Sequence, residues 1–93
     1  MKLHKYNDFQ FINEYITSMK ELHVYICIVN GDTRVKEIWS SLDRDVQKNY
    51  IHQILNTFQD KGMIIKKKEG RISIVETTDL FNEITNKFSD LLQ

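Results

Sequence analysis

A regular pattern of apolar and polar positions occupies residues 46–61. The apolar members recur three or four residues apart, which predicts an amphipathic helix that begins at Val46 and stops at Gly62. The positions between them carry mostly uncharged side chains that both donate and accept hydrogen bonds. The apolar stripe predicted to be buried consists of Ile51, Ile54, Leu55 and Phe58.

The residues after Gly62 have the pattern of a β-hairpin. Two segments with isoleucine and valine, 63–68 and 71–76, flank Glu69-Gly70, a pair that favours a tight turn. The first segment contains three consecutive lysines, and the second begins with an arginine. The sequence therefore predicts a basic hairpin over residues 63–76, directly behind a polar helix.

A first helix is predicted over residues 7–18, with Asn7-Asp8 as its N-terminal cap. Ser18 and Glu21 have the spacing of a capping box, in which the serine hydroxyl accepts from a first-turn amide and the glutamate reaches back. This spacing predicts that a second helix begins at the serine.

The second helix is apolar nearly all round, which predicts that it is the central helix of the core. Asn30-Gly31 is typical of a left-handed cap at its C-terminal end. After this cap, Thr33-Arg34 is predicted to form a very short strand that pairs with the hairpin.

A third helix is predicted from Val35 to Leu42. A turn at Asp43–Asp45, with Asp45 as N-cap, joins it to the helix of residues 46–61. Two helices joined by so short a turn, the second one polar at its start, form a helix-turn-helix arrangement over residues 35–61. The side chains of the third helix that are predicted to face inward are Val35, Ile38, Trp39 and Leu42.

The composition indicates one domain with a modest core. A chain of 93 residues, 41% of them hydrophobic, buries about two-thirds of the surface that it exposes when unfolded. Proline is absent, no apolar run is long enough to cross a bilayer, and no apolar segment of a signal peptide follows the first residues. We therefore expect an intracellular, cytoplasmic protein without a membrane partner.

Enzymatic and metal-binding functions are disfavoured. The histidines, His4, His23 and His52, and the single cysteine, Cys27, show no metal-ligand spacing such as CxxC or HExxH. No two of the three glycines lie close enough together for a phosphate-binding loop. We expect no catalytic residues, no cofactor and no metal ion.

The charge is unevenly distributed although the net charge is zero. Residues 1–45 sum to −1, residues 46–71 to +4 and residues 72–93 to −3. The positive excess thus falls on the polar helix and the hairpin, and local charge governs attraction to phosphates more directly than the total does. A solvated lysine-rich hairpin is the alternative to DNA contact, and charge alone does not decide between them.

The predicted order of elements, α-α-β-α-α-β-β-α, resembles the MarR/SlyA type of winged-helix regulator. The segment 55–64, LNTFQDKGMI, is similar to the family's LxxLxxKGLI ending of the recognition helix, and the segment 35–39, VKEIW, resembles its scaffold helix. The chain is also similar to small regulators of this kind that are encoded by viruses of hyperthermophilic archaea. The hairpin differs from the family's acidic and double-arginine pattern, since it offers only Glu69-Gly70-Arg71.

The resemblance implies an α+β, mostly helical winged helix-turn-helix domain over residues 1–93 that regulates transcription by binding specific sequences of double-stranded DNA. Its recognition helix would lie in the major groove, where glutamine and asparagine bond adenine and lysine reaches guanine or a phosphate. The basic wing would lie on the flanking minor groove or its phosphates. The candidate DNA-contacting residues are Arg34, Lys36, Gln47, Lys48, Asn49, Tyr50, His52, Gln53, Asn56, Lys66, Lys67, Lys68 and Arg71.

A homodimer is predicted because the terminal helices, 7–18 and 78–93, carry more apolar surface than one small core covers. Thr78 or Asp79 would cap the last helix. Two copies would present recognition helices about one DNA turn apart, on a pseudo-palindromic site. The alternative is a monomer whose terminal helices pack on each other. The candidate interface residues are Phe9, Phe11, Ile12, Tyr15, Ile16, Phe81, Ile84, Phe88, Leu91 and Leu92.

Cys27 cannot form a disulfide within the chain, because it is the only cysteine. A buried structural thiol is the ordinary interpretation of a cysteine in an apolar helix. The alternative is a disulfide between two subunits, a bond that is rare in the cytosol except in hyperthermophiles.

A different class of function is a winged helix that binds another protein. In that case the apolar terminal helices would carry the function, and the basic hairpin would be incidental. Binding to random duplex DNA at low and high salt separates the two hypotheses.

Overall fold

The computed structural model describes residues 3–42 and 47–91, with side chains from residue 7 onward. Within these ranges the chain forms helices and one antiparallel pair of strands, so the predicted α+β, mostly helical class is confirmed. None of the described helices is long and apolar enough to span a membrane. The elements in chain order are α1 (Leu3–Tyr15), α2 (Met19–Val29), α3 (Val35–Ser41), α4 (Lys48–Asp60), β1 (Ile64–Glu69), β2 (Ile72–Thr77) and α5 (Asp79–Leu91).

The hydrophobic core is built around α4. Its predicted apolar stripe is buried, and Met63 and Ile64, which lead from the helix into the hairpin, are buried with it. Full burial of a side chain of this size contributes about 1.5–3 kcal/mol, so the stripe fixes how the helix is rotated against the rest of the fold. The buried stripe residues are Ile51, Ile54, Leu55 and Phe58.

Helices α1 and α5, from opposite ends of the chain, pack against each other. Lys87 Nζ lies 3.2 Å from Asp8 Oδ1 across this contact. Tyr25 of α2 joins the pair to the core: its ring centroid is 4.8 Å from that of Phe81, and its hydroxyl is 2.6 Å from Thr85 Oγ1. Helices α1 and α5 are thus held together and to α2 by both apolar and polar contacts.

The first helix both begins and ends earlier than predicted, since α1 replaces the predicted range 7–18. Asn7 and Asp8 therefore lie inside the helix and do not cap it. No proline or glycine precedes them to prevent an earlier start, and the Asp8 carboxylate pairs with Lys87 of α5 instead of with a helix N-terminus.

The predicted break between the first two helices is confirmed. Ser18 is the N-cap of α2, and its Oγ accepts a hydrogen bond from the Glu21 N–H at 3.1 Å. The Glu21 carboxylate reaches back one residue further than a capping box requires and accepts from the Thr17 N–H at 3.2 Å. One first-turn amide of α2 and one amide just before its N-cap are thereby satisfied.

The glycine-based ends of α2 and α4 are confirmed. Gly62 has a φ of +82°; its N–H donates to Gln59 O, and the Met63 N–H donates to Phe58 O, both at 2.9 Å. These two bonds form a Schellman motif, which needs a residue in the left-handed region. Gly31, with a φ of +104°, ends α2 with the same pair of bonds.

The prediction of a very short strand at Thr33-Arg34 is wrong, and a single β-bridge takes its place. Arg34 pairs with Ile74 of β2, and the Val75 N–H donates to Thr33 O at 2.7 Å. The pairing extends no further because Arg34 is already the N-cap of α3. The described sheet therefore has two strands where three were predicted.

Two predictions of buried apolar faces are wrong in part. Trp39 of α3 is 42% exposed, because the seven-residue helix turns only Val35 and Ile38 fully into the core. Helix α2 is not buried all round either, since it packs on one side only and leaves Met19 and Ile26 exposed. Leu42, predicted as the last residue of α3, is its C-cap and is half-buried.

The start of the fourth helix also differs from the prediction. Helix α4 begins at Lys48 rather than Val46, and Gln47 occupies its N-cap without a side-chain hydrogen bond. The turn at Asp43–Asp45 and the cap proposed for Asp45 lie outside the described residues.

The hairpin is confirmed, but its turn lies one residue later than predicted. Glu69 pairs with Ile72, so Gly70 and Arg71 form a two-residue loop. Gly70 has a φ of +63°, and Arg71 has no positive φ. A glycine with positive φ at the first loop position is typical of a type II′ turn, which matches the twist of the two strands.

Thr78 links the hairpin to both helices beside it. Its Oγ1 accepts from the Phe81 N–H at 3.4 Å, so the predicted cap of the last helix is present. The same hydroxyl lies 2.6 Å from Gly62 O and 2.8 Å from Met63 O, which are acceptors at the end of α4. One hydroxyl therefore connects the end of α4 to the start of α5.

Thr78→Val is expected to lower the free energy of unfolding by about 1–2 kcal/mol, because it removes a cap and the hydroxyl that donates to Gly62 O, whereas Met63 O keeps the bond from the Thr78 N–H. Thr78→Ser keeps the hydroxyl and should lose less than half as much. Urea unfolding of both variants measures the difference. Equal losses would show that the methyl group stabilises this junction as much as the hydroxyl does, and a larger loss in Thr78→Ser would contradict the role given to the hydroxyl.

Candidate functional site

The polar face of α4 points away from the core and is accessible to solvent. His52 is half-buried at the side of the helix that faces the hairpin. Tyr50 lies under Lys20 of α2, whose Nζ is 4.7 Å from the ring centroid. The exposed positions of this face, including the cap, are Gln47, Lys48, Asn49, Tyr50, Gln53 and Asn56.

The three consecutive lysines of the hairpin occupy two different faces, because side chains alternate along a strand. Lys66 and Lys68 share the face of the buried Ile64. Lys67 lies on the opposite face, where its Nζ is 2.9 Å from Glu76 Oε2 and both side chains are half-exposed. The structure therefore separates Lys67 from the other predicted DNA-contacting cations.

Lys66 fastens the hairpin to α4. Its Nζ donates to Asn56 Oδ1 at 3.0 Å and lies 3.2 Å from His52 Nδ1, while its backbone N–H donates to Gln59 Oε1 at 2.6 Å. An ammonium group can only donate, so His52 accepts through Nδ1 and carries its hydrogen on Nε2. Gln59 was not among the predicted site residues. Its side-chain amide near the end of α4, shortly before the basic hairpin, could have indicated a contact between the two.

A cleft of about 300 Å³ lies where α3, α4 and the hairpin loop meet. Five of the predicted DNA-contacting residues line it, and four of these carry a full positive charge. Ser73, which the sequence analysis missed, is a small polar residue at an inward position of β2 beside the turn. No carboxylate of the described residues lines the cleft. The lining residues are Arg34, Val35, Lys36, Lys48, His52, Arg71, Ile72 and Ser73.

Arg34 is held at the rim of this cleft by its backbone. It forms the bridge to Ile74 and is also the N-cap of α3. The Glu37 carboxylate accepts from the Arg34 N–H at 3.1 Å and from the Thr33 N–H at 3.3 Å. These contacts use the Glu37 carboxylate on backbone amides, and Arg34 remains exposed.

The positive surroundings change the acidity of His52. Burial lowers the pKa of His52 below its ordinary value, and the charges of Lys66, Lys48 and Lys68 lower it further, in that order. Protonation of His52 would add a charge to a group of cations, which explains the direction of these effects. The cleft is therefore a concave surface that favours a negatively charged ligand.

A second concave surface is an apolar groove of about 640 Å³ between α1, α2 and α5. Phe9 is 62% exposed and Met19 is 79% exposed. Hydrophobic side chains that line the groove are Phe9, Ile12, Ile16, Met19, Leu22, Phe88 and Leu91.

The described residues among those predicted for a dimer interface divide into three groups: buried, exposed and half-buried. Ile12, Ile16, Phe81 and Ile84 are buried within one chain, so less apolar surface remains uncovered than the sequence suggested. Phe9 is exposed, and Leu92 lies outside the described residues. The half-buried members are Phe11, Tyr15, Phe88 and Leu91.

Cys27 is a free thiol that is 5% exposed in the core. Burial raises its pKa, and the nearby Asp32 raises it further, so the thiol stays protonated and unreactive. An intersubunit disulfide would require this sulfur to leave the core. The structure thus agrees with the ordinary interpretation of a structural thiol.

Comparisons of the chain with protein-family models, with curated proteins and with solved structures found no match. Within residues 3–42 and 47–91, no group of three or more histidine, cysteine, aspartate or glutamate side chains is placed to hold a metal ion. The function must therefore be inferred from the basic cleft, the polar face of α4 and the apolar groove.

Proposed function

We propose that this protein is a sequence-specific DNA-binding regulator with a winged helix-turn-helix arrangement. The observation that carries the proposal is the basic cleft, which gathers Arg34, Lys48 and Arg71 from three separate elements beside the polar face of α4. Duplex DNA is a ligand that presents phosphates and base edges together, at the spacing of a groove.

The arrangement of the elements supports this proposal. Helix α3 precedes α4 and packs against it, as a scaffold helix does, and the hairpin follows α4 directly. The Arg34 bridge to β2 corresponds to a shortened first strand of a wing. In this arrangement α4 enters the major groove, and the hairpin lies along the adjacent backbone.

The exposed side chains of α4 are suited to contacts with base edges. Asn49 and Gln53 lie one turn apart on the exposed face, and each amide offers the paired donor and acceptor that adenine requires. Asn56 Oδ1 already accepts from Lys66 and Tyr50 already lies under Lys20, so these two residues are less available for bases.

The cations divide into phosphate-binding and structural groups. Arg34, Lys36, Lys48 and Arg71 line the cleft and are assigned to backbone phosphates. Lys66 holds the hairpin on α4, and Lys68 adds positive charge at the same face. Lys67 is paired with Glu76, which leaves it with the smallest role among them.

DNA binding is expected to weaken steeply with salt. If about six phosphates are neutralised, the slope of log K against log salt concentration should be near −5. Arg71→Ala should reduce the magnitude of this slope by about one and weaken binding to all sequences alike. Fluorescence anisotropy with a random-sequence duplex at several salt concentrations measures both effects.

Lys67→Ala is the matched control, because it removes the same charge from the paired face of the hairpin. Its effect should be clearly smaller than that of Arg71→Ala. An affinity that does not depend on salt would contradict the proposed function, and equal effects of the two variants would contradict the assignment of the cleft.

Asn49→Ala should relax sequence preference at one base position and cost about 1–3 kcal/mol at the preferred site. Binding to random duplex DNA should change little, because no phosphate contact is lost. Selection of bound sequences from a random pool, done for both proteins, measures the preference. Unchanged preference would mean that Asn49 does not contact a base.

We also propose that the apolar groove joins two copies of the chain into a dimer. Exposed apolar surface of this kind marks interfaces, and two recognition helices would then bind a pseudo-palindromic site. The same groove favours the second candidate function, binding of a different protein. If the protein does not bind DNA even at low salt, binding of a different protein through the groove would remain as the candidate function.

Phe9→Lys is expected to shift the protein towards single-chain mass, because it places a charge in the groove without disturbing a buried residue. Ile65→Lys is the matched control: Ile65 is also exposed but lies on the hairpin. Sedimentation equilibrium at several concentrations measures the masses. Single-chain mass for the wild-type protein at working concentration would contradict the dimer.

A further inference from the structure

His52 lines the basic cleft, and its Nδ1 accepts a hydrogen bond from the Lys66 ammonium group. This position is unusual for a histidine. Lys66 lies 3.2 Å from His52 Nδ1 and is itself held by Asn56 at 3.0 Å. The neutral ring therefore keeps its hydrogen on Nε2, the nitrogen that Lys66 does not use. This N–H is a donor for a ligand in the cleft.

The charged groups around His52 come from each element that forms the cleft. Lys48 lies one turn before it on α4, Lys66 and Lys68 face it from β1, and Lys36 lies on α3. Arg34 at the α3 cap and Arg71 in the hairpin loop complete the set.

The carboxylates of these elements in the described chain are directed elsewhere. Glu37 accepts from backbone amides, Glu76 pairs with Lys67, and Glu69 alternates onto the face of Lys67. Asp60, the last residue of α4, lies more than two helical turns beyond His52. No negative group of the described residues therefore offsets the charge that protonation of His52 would add to the cleft.

We propose that the cleft is a seat for one phosphate group, bound by Arg34, Lys48 and Arg71, and that His52 takes up a proton at Nδ1 when the phosphate enters. Lys66 Nζ, which donates to Nδ1 in the free protein, then releases this nitrogen and keeps its hydrogen bond to Asn56 Oδ1. The inference rests on the proposed function only for the source of the phosphate, a backbone phosphodiester of duplex DNA. A free phosphate would use the same chemistry.

The coupling follows from electrostatics. In the free protein, burial and the surrounding lysines lower the pKa of His52. A bound phosphate supplies the missing negative charge, so it raises the pKa of His52 relative to the free protein. Between the free and bound pKa values the free ring is neutral and the bound ring is charged, so binding takes up as much as one proton.

The sign of the effect on affinity is therefore fixed. As pH falls through this window, binding strengthens by as much as tenfold per pH unit; above the bound pKa, affinity does not depend on the charge of His52. A phosphodiester does not titrate in this range, so the proton must be taken up by the protein.

The direct test is NMR titration of the His52 ring in the wild-type protein, alone, with inorganic phosphate and with a short random-sequence duplex. Both ligands are expected to raise the pKa of His52, and His23 on α2 serves as the internal control. Lys66→Met should raise the pKa of His52 in the free protein, because it removes the neighbouring ammonium group. A His52 pKa that neither ligand changes would overturn the proposal.

The second test compares the affinity for the duplex from mildly acidic to neutral pH at constant ionic strength. His52→Gln keeps a donor but cannot take up a proton, so its affinity should lose most of the pH dependence that the wild-type protein shows. His23→Gln should keep that dependence. Equal pH dependence in the wild-type and His52→Gln proteins would overturn the proposal.

The two proposals can fail separately. If the protein fails to bind the duplex in low salt at every pH tested, but inorganic phosphate still raises the pKa of His52, the phosphate seat stands and the DNA-binding function fails. If the duplex binds with a strong salt dependence but leaves the pKa of His52 unchanged, the DNA-binding function stands and the phosphate seat is overturned.

Discussion

Burial of one side of α4 is the constraint on which the rest of the structure depends. Ile51, Leu55 and Phe58 are fully buried, and at 3.6 residues per turn their burial sets the direction of every other side chain on the helix. Rotating the helix to turn Lys48 or Gln53 inward would bury a charge or an unpaired amide, at a cost of several kcal/mol. The polar face is therefore directed outward by the core itself.

The hairpin places its three consecutive lysines in different environments. The period of two along β1 places Lys66 against α4 and Lys67 on the far face, where Glu76 neutralises it. Lys68 returns to the first face and contributes to the positive potential at His52. The unpaired positive charge thus concentrates on the side of the hairpin that adjoins the cleft.

The sequence predicted the features that depend on neighbours along the chain. The stripe of α4, the glycine-based ends of α2 and α4 and the Ser18 cap all follow from local periodicity or backbone chemistry. Features that depend on distant residues were missed: the Lys67–Glu76 pair, the exposure of Trp39 and the reduction of a strand to one bridge at Arg34. These outcomes are decided by which surfaces meet, and a linear pattern of residue types does not specify that.

The cleft and the apolar groove share no element, since the cleft is formed by α3, α4 and the hairpin and the groove by α1, α2 and α5. In the proposed dimer each chain would keep its own complete cleft, so phosphate binding would not require residues from the partner. Joining two such sites makes the second binding event intramolecular, and the gain in affinity then comes from effective concentration and requires no new contacts. A chain with zero net charge and a small basic surface would in this way hold a strongly charged polymer, because two modest sites act together on one duplex.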